Sequence, residues 1–229
     1  MVVTLVFGAL TTLALGILAA VLGHPGRGPF GETVSVASST LAWGPGVMLA
    51  VAGAMGAITQ DKTQGIVALA RFRGVSHGHY LGARTLGLAA LTALVVAGGT
   101  LVVAVVALSF CPRTGLARLG QWTVASLLYA LCFSSILPPL CLAVLGTGSR
   151  FLGYLQLLAI LVVPEILSRA ASEPWAEVLS LPGALSTLRS AVMQTDLARF
   201  GRALLVLVVS IGLCATVLRS KAMQIEATS

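Results

Sequence analysis

The chain has 229 residues, of which 57% are hydrophobic and only 9% charged, and its mean hydropathy is +1.00. A soluble domain carries roughly a quarter charged residues because its surface faces water, so charge this sparse excludes an ordinary water-soluble fold and sets most of the surface against lipid. The formal net charge of +7 does not mark a nucleic-acid binder, because the basic residues stand at the edges of apolar runs and form no patch with interleaved aromatics.

Residues 1–23 carry no charged side chain. They lack the basic segment and short apolar core of a secretory signal, and are read as a first membrane helix, near 2–22, kept in the mature protein. Beyond them, gaps between charges mark the spans. There are 28 uncharged residues between Glu32 and Asp61, 28 between Arg84 and Arg113, and 31 between Arg118 and Arg150. Each exceeds the roughly 20 apolar residues that a bilayer core requires. A shorter fifth run follows Arg150 and contains Glu165, and a sixth begins near Ala203. The expected fold is therefore an all-α integral membrane domain over 1–229, with spans near 2–22, 41–60, 85–109, 122–146, 151–168 and 201–218.

Six spans put both termini on one side. The connection Asp61–Arg84 holds Lys62, Arg71, Arg73 and Arg84, whereas the first loop has Arg27 alone. The excess of basic residues predicts that the 61–84 loop and both termini are cytoplasmic, in agreement with Arg150, Arg219 and Lys221. The other side would carry Arg113, Arg118, Arg169, Arg189, Arg199 and Arg202, partly offset by Glu165, Glu173, Glu177 and Asp196.

Two connections are more than links. In the first, Thr63 is positioned to cap a short helix whose Ile66, Leu69 and Phe72 share a face, and Gly74 to end it. Ser76 would then cap the helix entering the third span. The second connection, 169–200, contains the apolar piece Val178–Leu188, interrupted by Pro182-Gly183. It is too short to cross and is read as a re-entrant or interfacial hairpin, with Leu185, Leu188 and Val192 on one face.

Catalytic signatures are missing. No GxxxxGK[ST] or HExxH string is present, so energy for any transport must come from a partner or a gradient. The single GxSxG, Gly74-Val75-Ser76-His77-Gly78, has no preceding strand and reads as a chance match. His77 and His79 form an HxH with no third ligand nearby, which makes a surface pair the better reading than a metal site. Cys111, Cys132, Cys141 and Cys214 stand singly, without CxxC or zinc spacing, and are assigned no redox role.

The cytoplasmic segment from Asp61 to Arg84 resembles the loop after the second span of permeases in the type-2 ABC exporter family. Gln64-Gly65-Ile66 occupies the place of that family's Gly-Thr-like step, Val67–Phe72 that of its leucine-rich short helix, Gly74-Val75-Ser76 that of its Pro-Val-Ser-like turn, and Arg84 opens span three. The stretch Leu181-Pro182-Gly183-Ala184-Leu185-Ser186-Thr187-Leu188-Arg189 is similar to the proline-led helix of the hairpin between spans five and six. The sequence departs from the family in Asp61-Lys62-Thr63, in Gly74 where proline is common, and in lacking an amphipathic helix ahead of span one. The resemblance implies that the 62–74 loop docks a separate cytosolic ABC ATPase through Gln64, Gly65, Ile66, Leu69, Phe72 and Arg73. It also implies that ATP and Mg are bound by that partner, with no cofactor bound here, that a second permease copy completes the pathway, and that the location is a cell inner (plasma) membrane.

Pathway or gate candidates are Pro138, Pro139, Glu165 and Pro182. The Pro138-Pro139 pair frees backbone carbonyls in span four, either as a kink at a pore or as a purely structural bend. A carboxylate at membrane depth marks a functional site unless it reaches water or a partner, and Arg169 stands at i+4 from Glu165. The glycines Gly44, Gly46, Gly53 and Gly56 permit close helix contact. The competing reading is a membrane scaffold or assembly factor without a transport cycle; an intramembrane enzyme lacks a catalytic pair.

Overall fold

The computed structural model describes residues 30–55, 57–110, 115–146, 150–170 and 176–227. The span expected near 2–22 lies outside them. Among the described residues the regular secondary structure is all helical, joined by short turns, with no strand. In chain order the elements are α1 (Phe30–Leu41), a π-helical turn (Ala42–Gly46), α2 (Val47–Ala54), α3 (Ala57–Thr63), α4 (Ile66–Phe72), α5 (His77–Phe110), α6 (Leu116–Leu145), α7 (Arg150–Ala170), α8 (Ala176–Leu179), α9 (Leu181–Gln194) and α10 (Leu197–Ala227). Among the described residues five segments are long and apolar enough to cross a membrane: Glu32–Thr63, His77–Ser109, Leu116–Leu145, Phe151–Ser168 and Leu197–Ser220. They correspond to the second to sixth expected spans.

Several boundaries need correction. The span expected from 41 begins its helix at Phe30, because the hydroxyl-rich stretch that reads as a loop satisfies itself as a helix. Ser38 and Ser39 donate to the Ser35 carbonyl at 2.9 and 3.1 Å, and Thr40 donates to that of Val36 at 2.9 Å. This span is also discontinuous. Pro45 lacks an amide proton, and the chain accommodates it by widening into the π turn. The backbone then turns extended at Met55 (φ −61°, ψ 108°) and resumes as α3 at Ala57. The third span starts at His77 rather than 85, the fourth at Leu116 rather than 122, and the last runs from Leu197 to Ala227 rather than 201–218.

Helix α6 is the hub: it contacts α1, α2, α5, α7, α9 and α10. Of the most apolar 18-residue stretch, 61% is buried in α6 but 11% in α7, so α6 forms the centre and α7 the rim. Phe133, Ile136, Leu137 and Leu142 of α6 are fully buried against Leu41, Ile58, Val96, Leu185 and Leu188. Gly46 lets α1–α2 approach closely. A Cβ there would stand 2.9 Å from Val96 and 3.0 Å from Phe133, and one on Gly53 would overlap Leu88. Gly44 meets no such neighbour, and Gly56 lies outside the described residues.

Candidate functional site

Two features collect most of the residues picked out by the sequence. The first is the α3–α4–α5 connection. Gly65 (φ +72°) and Gly74 (φ +73°) bound α4, both in the left-handed region that glycine enters at least cost. The end of α4 is closed by the Gly74 amide on the Arg71 carbonyl (2.9 Å) and the Val75 amide on the Ala70 carbonyl (3.0 Å), a Schellman pattern. The expected Thr63 cap is corrected. Thr63 ends α3 and its hydroxyl donates back to the Gln60 carbonyl at 2.9 Å, while Gly65 holds the N-cap position of α4 without a side-chain bond. A two-residue turn with Gly65 in the left-handed region, not a capping hydroxyl, separates α3 from α4.

Helix α4 packs on α3 and α5. None of its residues is buried. Ile66, Leu69 and Phe72 project from it with 41%, 58% and 96% of their surface exposed, forming an apolar row at i, i+3 and i+6. Gln64 and Arg73 are exposed in the flanking turns.

What the sequence did not signal is how the base of this connection is fastened. Asp61, at the end of α3, is 4% exposed. It accepts the Tyr80 hydroxyl of α5 and lies 3.4 Å from Arg84 Nε, one turn further along. Read from sequence, Asp61 and Arg84 stand at the ends of the family-like loop and as span edges, not paired with each other or with Tyr80. Two opposite charges flanking one loop were the available signal. At the start of α5 Ser76 is the cap: its Oγ accepts the His79 amide at 3.3 Å and lies 2.7 Å from His79 Nδ1. His77 is buried and His79 exposed, so the pair is not a surface HxH. No metal-ligand cluster occurs among the described residues.

The second feature is the α8–α9 hairpin. The break expected at Pro182-Gly183 falls instead at Ser180. Its hydroxyl accepts the Gly183 amide at 3.0 Å as the N-cap of α9, and Pro182 sits in the first turn, where its missing amide proton costs nothing. The buried face is Ala184, Leu185, Leu188 and Ala191, with Val192 half-buried. Glu165, half-buried on α7, accepts the same Ser180 hydroxyl at 2.6 Å and so ties span five to the hairpin. The expected partner Arg169 has its side chain outside the described residues.

Arg189 is the hairpin's other anchor. Its Nη1 donates to the Ser35 carbonyl (2.9 Å) and to Ser39 Oγ (2.8 Å) of α1, and its guanidinium lies 5.1 Å from the Tyr129 ring centre. Burial lowers its pKa from the ordinary value. The Tyr129 hydroxyl accepts the Trp43 indole at 2.7 Å, and Trp43 meets Phe133 edge-on at 5.4 Å. This relay joins α9, α1, the π turn and α6.

Pro138 and Pro139 are buried within a continuous α6. Ser134 and Ser135 precede them and donate to the carbonyls of Ala130 and Leu131, both at 2.8 Å. Cys132 is half-buried, Cys141 and Cys214 buried, and all three are free thiols. Cys111 lies outside the described residues. No protein-family model, no curated protein and no solved structure matches this chain.

Proposed function

We propose that this chain is the transmembrane subunit of an ATP-binding cassette exporter. It pairs with itself or a similar chain to form the substrate route, and it docks a separate cytosolic ATPase through α4, which binds ATP and Mg in trans. In this reading the protein lies in a cell inner membrane with both termini cytoplasmic. The observation that carries the reading is α4 itself: a helix of seven residues between two candidate spans, fixed at both ends, with an apolar row turned outward. An exposed apolar row on a short helix suits a protein cleft, and the bonds of Asp61, at the end of the preceding α3, to Tyr80 and Arg84 tie the base of the connection to α5, so that a push on α4 would be passed to α5.

The test is purification of the tagged chain from its native host in mild detergent, with identification of what remains bound. The expected result is a stoichiometric soluble protein with a P-loop. Full burial of a phenylalanine is worth about 1.5–3 kcal/mol, so F72A should weaken its retention by roughly 10- to 150-fold and F72E should abolish it. Because Phe72 is 96% exposed, neither change should alter the fold. Retention of the ATPase by F72E, or recovery of membrane proteins alone, would overturn the proposal, the latter in favour of a scaffold.

A further inference from the structure

At the end of the bundle opposite α4, where α5 and α7 finish and α6 and α10 begin, a cavity of about 1030 Å³ opens between the helices and the hairpin. Its walls carry three guanidiniums, Arg118 from α6, Arg189 from α9 and Arg199 from α10, and a single carboxylate, Glu165. The three differ in how far they are committed. Arg189 is spent on α1 through Ser35 and Ser39. Arg199 lies 3.6 Å from Asp196 and 3.4 Å from Gln194 Oε1. Arg118 makes no ion pair among the described residues. Beside it in the wall, the Trp122 indole nitrogen is buried and has no hydrogen-bond partner among the described residues. A buried donor left without an acceptor is costly, and here it adjoins a cation that no carboxylate among the described residues answers.

We propose that this cavity binds a phosphate-bearing anion. The phosphate oxygens accept from Arg118 and the Trp122 N–H, with Arg199 shared between the ligand and Asp196. Planar guanidiniums match phosphate oxygens in pairs, and every uncommitted charged or indole group on this wall donates. The remaining polar wall, including Gln121, Ser186 and Ser190, offers partners for hydroxyl groups on the phosphate's substituent. The volume far exceeds a bare phosphate and fits a ligand of drug-like size. The same chemistry is presented by an anionic glycerophospholipid headgroup, whose phosphate charge no choline cation offsets, and by a soluble organic phosphate. The proposal does not depend on docking of an ATPase.

The experiment uses the purified full chain in neutral detergent and native mass spectrometry. Phosphatidylglycerol is titrated against phosphatidylcholine, with glycerol 3-phosphate as the soluble probe. Wild type should retain phosphatidylglycerol over phosphatidylcholine, and R118Q should weaken that retention about tenfold, the effect of losing one charged hydrogen-bond donor. R219Q, at the other end of α10, should leave it unchanged. Binding of glycerol 3-phosphate with the same dependence on Arg118 would assign the site to soluble phosphates; its failure beside bound phosphatidylglycerol would assign it to lipid. Equal binding of the two lipids with no binding of glycerol 3-phosphate would overturn the proposal. So would an equal loss in R118Q and R219Q.

Discussion

Asp61 is the place to ask whether α4 is held rigidly. It is almost fully buried, accepts the Tyr80 hydroxyl and faces Arg84 Nε at 3.4 Å. A hydrogen bond to a charged group contributes about 1.5–3 kcal/mol. The Arg84 side chain is 42% exposed, so the ion pair adds little beyond that, about 0–1 kcal/mol. Asp61→Ala removes both and strands the Tyr80 hydroxyl. If the fastening is local, the free energy of opening the α3–α4 connection falls by about 1.5–3 kcal/mol, or 10- to 150-fold in the opening equilibrium. Hydrogen exchange by mass spectrometry in detergent reads this directly, with peptides over 57–76 compared with the α6 segment 126–142. Exchange should accelerate by that factor in the first set and stay constant in the second. Asp61→Asn keeps an acceptor for Tyr80 and should show a smaller change, and Tyr80→Phe should approach the alanine variant. Wild-type exchange in Asp61→Ala would refute the reasoning, as would equal acceleration in α6, which would mean that Asp61 supports the whole bundle rather than this joint.

The helix ends make a second test: Gly65→Ala places a side chain at φ +72° and should cost the α4 turn about 1–2 kcal/mol, whereas Thr63→Ala, losing an exposed bond to the Gln60 carbonyl, should stay within about 0.5 kcal/mol, both read from exchange of the α4 amides. Arg189→Met removes two charged hydrogen bonds to α1 and the contact with the Tyr129 ring, and should destabilise the hairpin by about 2–3 kcal/mol. It should appear as a lower temperature of irreversible unfolding in detergent, with Arg189→Lys intermediate; an unchanged temperature in Arg189→Met would remove the anchor from the account.

The spans were legible because a charge is too costly in hydrocarbon to be placed at random, so gaps between charges measure the bilayer. The expected fifth span, 151–168, coincides with the apolar segment Phe151–Ser168. Where hydropathy weakens, that ruler fails. The stretch from Glu32 to Thr40 is polar by composition yet helical, because serine and threonine return their hydroxyls to carbonyls three or four residues back. Proline misled in two ways. Pro182 was read as a break, although a first helical turn tolerates it, and Pro45 was passed over although it widens the chain into a π turn. The six residues expected to engage an ATPase do lie together on α4 and its two turns, since the run of ten residues from Gly65 to Gly74 has little room to do otherwise. The four pathway candidates are not brought to one place: Pro138 and Pro139 are buried in α6, while Glu165 and Pro182 stand near Ser180. For Asp61 and Arg84 the sequence offers only two opposite charges flanking one loop; Tyr80, and the contacts of Arg189 with Ser35, Ser39 and Tyr129, are illegible because no spacing rule connects residues brought together only by folding.

These pairings decide how force on α4 would divide between its two flanking spans. On the side of α5 the route is stiff: the Asp61 contacts land on the first two turns of an unbroken helix of 34 residues, about 50 Å long, which ends near the arginine-lined cavity. On the other side the route is interrupted twice, by the extended backbone at Met55 and by the π turn at Ala42–Gly46. A displacement entering at α4 is therefore carried by α5 as one body, while the preceding span yields at Met55. The π turn lies further along that span, beside Trp43, Tyr129 and Arg189, which join it to the hairpin. On the exporter reading, α5 would transmit the motion of the ATPase and the broken span would allow the bundle to change shape around it. That division follows from where the backbone is continuous and does not depend on which substrate is carried.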